Sequence, residues 1–215
     1  MEERGKWGII VWWTLANILG LLTAYWVGPK ICGILFMSQC PPAPPNGSVD
    51  CVIWNPISWM VIIGGTVGIF VGMAEWLVMR KYISRCEWWV MATIVGWAIG
   101  FGAQAILHEV LRQPRRNLDI EALYGAIAGL VVGFAQWLVL RRIVPKAGWW
   151  IAAMLLSGFL TFWFYFPGAT ILTSFWELVI SGTVTGVITA VALISLFKHL
   201  IARPELVTPT IQREA

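Results

Sequence analysis

Between Trp7 and Phe197 the chain is written almost entirely as apolar runs too long for the elements of a water-soluble core. Six of them, near residues 7–27, 57–78, 88–108, 120–140, 149–168 and 172–197, reach the roughly 20 residues that an α-helix needs to cross the hydrocarbon layer of a bilayer. Lipid offers no partner to a peptide N–H or C=O, so a spanning segment must close its own hydrogen bonds as a helix or join a sealed barrel. These runs lack the period-two alternation of barrel strands, which leaves helices. Composition agrees: 12% of the 215 residues are charged and 59% are apolar, against roughly 25% charged in soluble domains. The opening "MEERGK" precedes an apolar run too long for a cleaved signal, with no A-x-A site after it, and reads as a retained signal anchor.

The Lys and Arg residues orient the bundle. With the N-terminus inside, eleven lie on the inner side, among them Arg80, Lys81, Arg85, Arg141, Arg142 and Lys146. Only Lys30, Arg112, Arg115 and Arg116 lie outside. This bias predicts cytoplasmic termini. It also accounts for the net charge of +4 without a nucleic-acid partner, since no basic stretch interleaves with aromatics on a polar face.

An eighteen-residue phrase occurs twice: "GMAEWLVMRKYISRCEWW" at 72–89 and "GFAQWLVLRRIVPKAGWW" at 133–150. Extended outward, it finds a third, looser copy. The odd helices open on "WWTLANILG", "WWVMATIVG" and "WWIAAMLLSG". The even helices align Gly64/Gly68/Gly72 with Gly125/Gly129/Gly133 and Gly182/Gly186/Ala190. Small residues every fourth position let helix backbones approach closely. The expectation is an all-α polytopic membrane protein of six transmembrane helices, with three tandem helical hairpins in a parallel pseudo-threefold repeat. The hairpins occupy residues 1–78, with an outer Cys/Pro loop at 28–56, then 79–140 and 141–197, and residues 198–215 form a cytoplasmic tail.

Trp76, Trp137, Trp88, Trp89, Trp149 and Trp150, with Trp12 and Trp13, fall near the inner headgroup level. There an indole can bury its ring and still donate its N–H. Arg80, Arg141 and Arg142 lie beside them and suit anionic phospholipid headgroups. One reading is a lipid-anchoring belt; the other is a lipid or pigment pocket made from the same residues.

"QWLVLRR", "AGWW" and the glycine-laddered helices resemble a family of small multipass membrane proteins found in cyanobacteria and filamentous phototrophic bacteria. The resemblance covers most of residues 60–197 and rests on repeat texture; it brings no activity with it, and implies only a place in a photosynthetic membrane. Even helices of that family carry Gln at the position of Gln136, where this chain has Glu75 in the first copy and Leu193 in the third.

Polar residues within the runs are few, so each is a candidate. Glu75, Gln136, Gln104 and Asn17, with Thr93, could line an intramembrane polar path. Glu75 has two readings: an interfacial ion pair with the basic run after it, or a proton or cation site. In the outer segment, His108, Glu109, Arg112, Arg115 and Arg116, with Glu177 facing them from the sixth run, form either a solvated connector or a docking site for an anion or partner subunit. Cys40 and Cys51 bound a Pro-stiffened outer loop and are the preferred disulfide, although Cys32 leaves other pairings open. Neither a metal-binding Cys/His spacing nor a nucleophile with a base appears, and the two histidines lie on opposite sides of the membrane. The chain therefore reads as non-enzymatic: an accessory or scaffolding subunit of a larger membrane complex. The alternatives are a small-solute or proton-coupled transporter using Glu75 and Gln136, or a binder of lipid, carotenoid or quinone. No cofactor is required, and the partners are the bilayer, its anionic lipids and other membrane subunits.

Overall fold

The computed structural model describes residues 3–37, 56–83, 86–111, 118–144, 146–163 and 171–201. They form six helices: α1 (Glu3–Met37), α2 (Pro56–Met79), α3 (Trp88–Leu111), α4 (Leu118–Leu140), α5 (Trp149–Trp163) and α6 (Ile171–Ile201). No strand occurs among the described residues. Five helices are long and apolar enough to cross a membrane, over Trp7–Ile31, Ile57–Met79, Trp88–Leu111, Ile120–Leu140 and Phe175–Phe197. This is the character of an integral membrane protein. Of the expected span at 149–168, α5 covers Trp149–Trp163, and 164–170 lie outside the described residues. α1 departs from expectation: it runs ten residues past position 27, through Pro29, to Met37. Proline removes one backbone donor, and neighbouring helices tolerate that loss in a membrane helix.

Each helix packs against its neighbours in sequence and α1 packs against α6, so the six close into a ring; among the described residues the other helix pairs do not approach at backbone level and meet only through side chains across the centre. Ring neighbours run antiparallel. One end, the turn end, carries the short connections after α2 and α4; the other, the loop end, carries the C-termini of α1, α3 and α5. Polarity is distributed inside out. Asn17, Glu75, Thr93, Gln104, Gln136 and Thr189 are buried, while Met73, Val95, Ile99, Leu130, Phe134 and Val191 face outward. That pattern suits a hydrocarbon surround, where the apolar surface needs no cover and polar groups must find partners inside.

Glycines set the ring's closest approaches. A methyl added at Gly68 would sit 2.5 Å from Ile94 Cα, at Gly96 2.9 Å from Val132 Cα, and at Gly186 2.6 Å from Thr14 Cα. At Gly129 it would strike the carbonyl oxygen of Met154. These contacts also fix the register of the third glycine ladder. Gly72 lies against Thr93 and Val90, Gly133 against Met154 and Ile151, and Gly186 against Thr14; one turn away, Gly68 lies against Ile94 and Thr93, Gly129 against Met154, and Gly182 against Ile18. Gly182 and Gly186 therefore take the places of Gly68 and Gly72, one turn away from the sequence alignment. A ladder with a rung every four residues keeps its glycines aligned when it slips by one rung, so glycine matching alone cannot detect the slip.

Both copies of the repeated phrase fold into the same turn. After α2, Tyr82 N–H and Ile83 N–H donate to Met79 C=O; after α4, Ile143 N–H and Val144 N–H donate to Leu140 C=O. Trp89 N–H then donates to Cys86 C=O, and Trp150 N–H to Ala147 C=O, each at 3.0 Å. The phrase is the device that reverses the chain and delivers a tryptophan to the bundle interior.

Gly129→Ala and Gly186→Ala should each destabilise the bundle by about 1–3 kcal/mol through overpacking. Gly65→Ala, whose new methyl would meet nothing nearer than Ala98 Cβ at 4.0 Å, should leave it unchanged. Thermal unfolding of the three variants in one detergent checks both expectations.

Candidate functional site

Adjacent helix residues project about 100° apart, so a Trp doublet cannot turn both rings to one face. Trp12, Trp88 and Trp149 are 59%, 71% and 73% exposed, whereas Trp13, Trp89 and Trp150 are wholly buried. The expected lipid belt is corrected accordingly: Trp88 and Trp149 point outward, while Trp89 and Trp150 belong to the core. The three buried rings meet edge to face, with centroids 5.5 Å apart for Trp89–Trp150 and 6.2 Å apart for Trp13 with each of the others. Together they plug the ring near its turn end.

A buried indole N–H must find an acceptor, because leaving it unpaired costs about 1–3 kcal/mol. Trp89 Nε1 donates to Glu75 Oε2, Trp150 Nε1 to Gln136 Oε1 and Trp13 Nε1 to Thr189 Oγ1, each at 2.9 Å. Each acceptor stands on the even helix against which that tryptophan's helix packs. Gln136 Nε2 in turn donates to Glu75 Oε2 at 3.2 Å and Thr93 Oγ1 at 3.0 Å, and Thr93 Oγ1 donates to Trp89 C=O. Asn17 donates to Trp13 C=O at 3.0 Å and lies beside the Glu75 carboxylate. This polar hub contains three of the four residues expected along a path, Glu75, Gln136 and Asn17. The alignment paired Gln136 with Leu193, but the third acceptor is Thr189, one turn away, as the slipped ladder requires.

Glu75 thus lies among neutral donors. Of its two readings, the interfacial ion pair is not formed among the described residues: Arg80 stacks on Trp76 at 5.2 Å and Lys81 on Trp12 at 5.7 Å. Arg141 repeats the arrangement on Trp137 at 4.9 Å. Arg142 is exposed at the same end, and Arg85 lies outside the described residues.

Above the hub the ring is hollow. An inner chamber of about 390 Å³ starts at Asn17 and is walled by Leu21, Val67, Val71, Trp97 and Thr185. Towards the loop end it adjoins, with shared walls at Tyr25, Ile63, Phe101 and Ser181, a vestibule of about 630 Å³ lined by residues from all six helices. The fourth expected path residue, Gln104, belongs to the vestibule wall and not to the hub; its Nε2 donates to Tyr124 C=O at 2.9 Å. His108, Glu109, Glu121 and Glu177 also line the vestibule. Of the expected outer cluster, His108 and Glu109 are exposed and Glu177 is buried, while Arg112, Arg115 and Arg116 lie outside the described residues. Among the described residues, no three Cys, His, Asp or Glu side chains gather to hold a metal.

Comparison of the chain with protein-family models, curated proteins and solved structures finds no match.

Cys40 and Cys51 lie outside the described residues. Cys86, in the connection between α2 and α3, is buried and free, and burial pushes its thiol above the ordinary cysteine range. Maleimide should therefore label a variant retaining only Cys86 at least about tenfold faster in denaturant than in the folded protein, because thiolate and access are both lacking in the native state. For the hub, Gln136→Leu strands the Trp150 N–H and should lower stability by about 1–3 kcal/mol. Leu193→Gln, which meets no buried indole, should bring no compensating gain; paired unfolding curves decide both.

Proposed function

We propose that the protein is a non-enzymatic membrane receptor that takes a small amphipathic molecule into the hollow of its helix ring. The vestibule and inner chamber carry this reading. They share walls; the inner chamber is lined mostly by aromatic and aliphatic side chains and borders Asn17 of the hub, and the vestibule adds carboxylate, imidazole and carboxamide groups. Concave, largely apolar sites with a few convergent polar groups are the usual form of small-molecule pockets. A scaffold would need its outer face, and the exposed apolar side chains there serve equally as lipid contacts.

The ring is read as three hairpins about a pseudo-threefold axis. Supporting this are the matched approaches Gly72–Val90, Gly133–Ile151 and Gly186–Thr14 and the three indoles that each cross to a neighbouring even helix. The Lys and Arg bias places the turn end in the cytoplasm, so the vestibule opens outward. Its occupant is an amphipathic lipid or another apolar molecule with a polar head, entering from the outer side or the outer leaflet.

A carrier that passes the molecule onward is a second reading, favoured by one observation: an ionisable side chain, Glu75, forms part of the hub directly below the cavity. Carriers place ionisable groups where access alternates. The tryptophan plug would then be the inner gate.

Ser181 borders both chambers, so Ser181→Trp should fill their junction. Protein purified gently from its own membrane should carry a bound small molecule, found by mass spectrometry of the extract, and Ser181→Trp should lose it at least about fivefold. Equal recovery from both proteins, or none from the wild type, would defeat the receptor reading.

A further inference from the structure

Two polar side chains on the vestibule wall are almost wholly buried and incompletely partnered. Glu177 is 8% exposed and Tyr124 6% exposed, and among the described residues neither Glu177 Oε1 nor the Tyr124 hydroxyl has a hydrogen-bond partner. Folded proteins rarely leave such atoms unmatched, and each one calls for a reason. In the hub of this same ring, every indole N–H has its acceptor; a third unmatched atom, Thr14 Oγ1, lies apart from the vestibule, beside Gly186. Glu177 and Tyr124 border the same cavity.

The surroundings indicate what would complete them. Glu109 and Glu121 line the same vestibule, and the Glu121 carboxylate lies within electrostatic reach of the Tyr124 hydroxyl. His108, whose ring meets that of Tyr124 at 6.3 Å, is the only basic side chain on the wall among the described residues. Tyr25, Trp59, Phe101 and Phe162 supply ring faces. Carboxylates with aromatic faces are the chemistry that holds organic cations, through charge and through the ring quadrupole. Beneath them, the inner chamber is almost wholly apolar and has room for a hydrocarbon tail.

We propose that the occupant is a cationic amphiphile, a substituted ammonium on an apolar tail, with its head against Glu177 and Tyr124 and its tail in the chamber below. The proposal rests on the receptor reading and narrows it to one charge class. A free amphiphilic amine and the choline group of a membrane lipid share this head.

The test uses matched fluorescent alkyl probes ending in trimethylammonium, in the uncharged tert-butyl isostere, or in sulfonate, titrated into the full chain in nanodiscs. The ammonium probe should bind saturably, and at least about tenfold more tightly than either other probe, a difference of about 1.4 kcal/mol. Glu177→Gln should remove that preference while its unfolding temperature stays level or rises, since the change deletes a buried carboxylate with a free oxygen. Tyr124→Phe should weaken the ammonium probe alone, and Ser181→Trp should exclude every probe. Displacement by short-chain phosphatidylcholine would identify the lipid as the natural source; displacement only by simple alkylammonium would identify a free amine. Equal binding of the ammonium and tert-butyl probes, or an undiminished preference in Glu177→Gln, overturns the cation proposal. If the probes still bind in a Ser181→Trp-sensitive way, the receptor reading survives it. Absence of binding by all three probes overturns both.

Discussion

Three indole N–H groups lie where neither water nor a headgroup can reach them, and the interior is organised around finding them acceptors. Trp13, Trp89 and Trp150 touch one another at the centre of the ring, so none can turn outward without opening the plug. Each must then cross to an oxygen on an adjacent even helix, and that requirement fixes the rotation of both helices in every pair. The three acceptors are chemically different: a carboxylate, a carboxamide and a hydroxyl. Geometry, not residue type, is what the three sites share. The Gln136 carboxamide uses its amide group to tie Glu75 and Thr93 into the same network, while the Thr189 hydroxyl donates back to Thr185 C=O on its own helix.

Such crossings demand short interhelical distances, which the glycine ladders permit. In hydrocarbon there is no hydrophobic force to press helices together, so close packing and interhelical hydrogen bonds must hold the ring. The two contributions lie on the same helix faces here. Gly72 stands three residues before Glu75, Gly133 three before Gln136 and Gly186 three before Thr189, each about one turn from the acceptor it brings within reach. Widening the backbone approach at the glycine would lengthen the hydrogen bond beside it, so packing and polar satisfaction fail together.

Much of this could be read from the residues. Six helices follow from run length and from lipid's inability to satisfy peptide groups. Glu75, Gln136 and Asn17 stood out because polar residues are scarce within such runs. The inward tryptophans did not stand out, because a WW doublet gives no phase: the same two letters describe a belt and a core, and only the neighbouring acceptors decide between them. Thr189 was hidden by the slipped ladder, and by being a threonine on a helix where Thr183 and Thr185 also occur. The continuation of α1 through Pro29 was masked by "GPK", which ends a helix in water more readily than in a bundle. The cavity has no sequence signature, because it arises where six helices leave a centre unfilled.

The two buried carboxylates give the sharpest contrast in the ring. Glu75 is enclosed by donors from Trp89 and Gln136, with Asn17 beside it, as a packed polar core demands. Glu177, towards the loop end, keeps an oxygen without a partner among the described residues. The same fold therefore satisfies a buried acid at one end of its hollow and leaves one incomplete at the other. A structural role alone would be met by leucine at position 177, since a buried polar atom left without a hydrogen bond costs about 1–3 kcal/mol. The incompleteness coincides with the cavity, with aromatic faces and with a second unmatched group, the Tyr124 hydroxyl. Partners missing from the chain at the point where the chain leaves room are most simply supplied by something that enters.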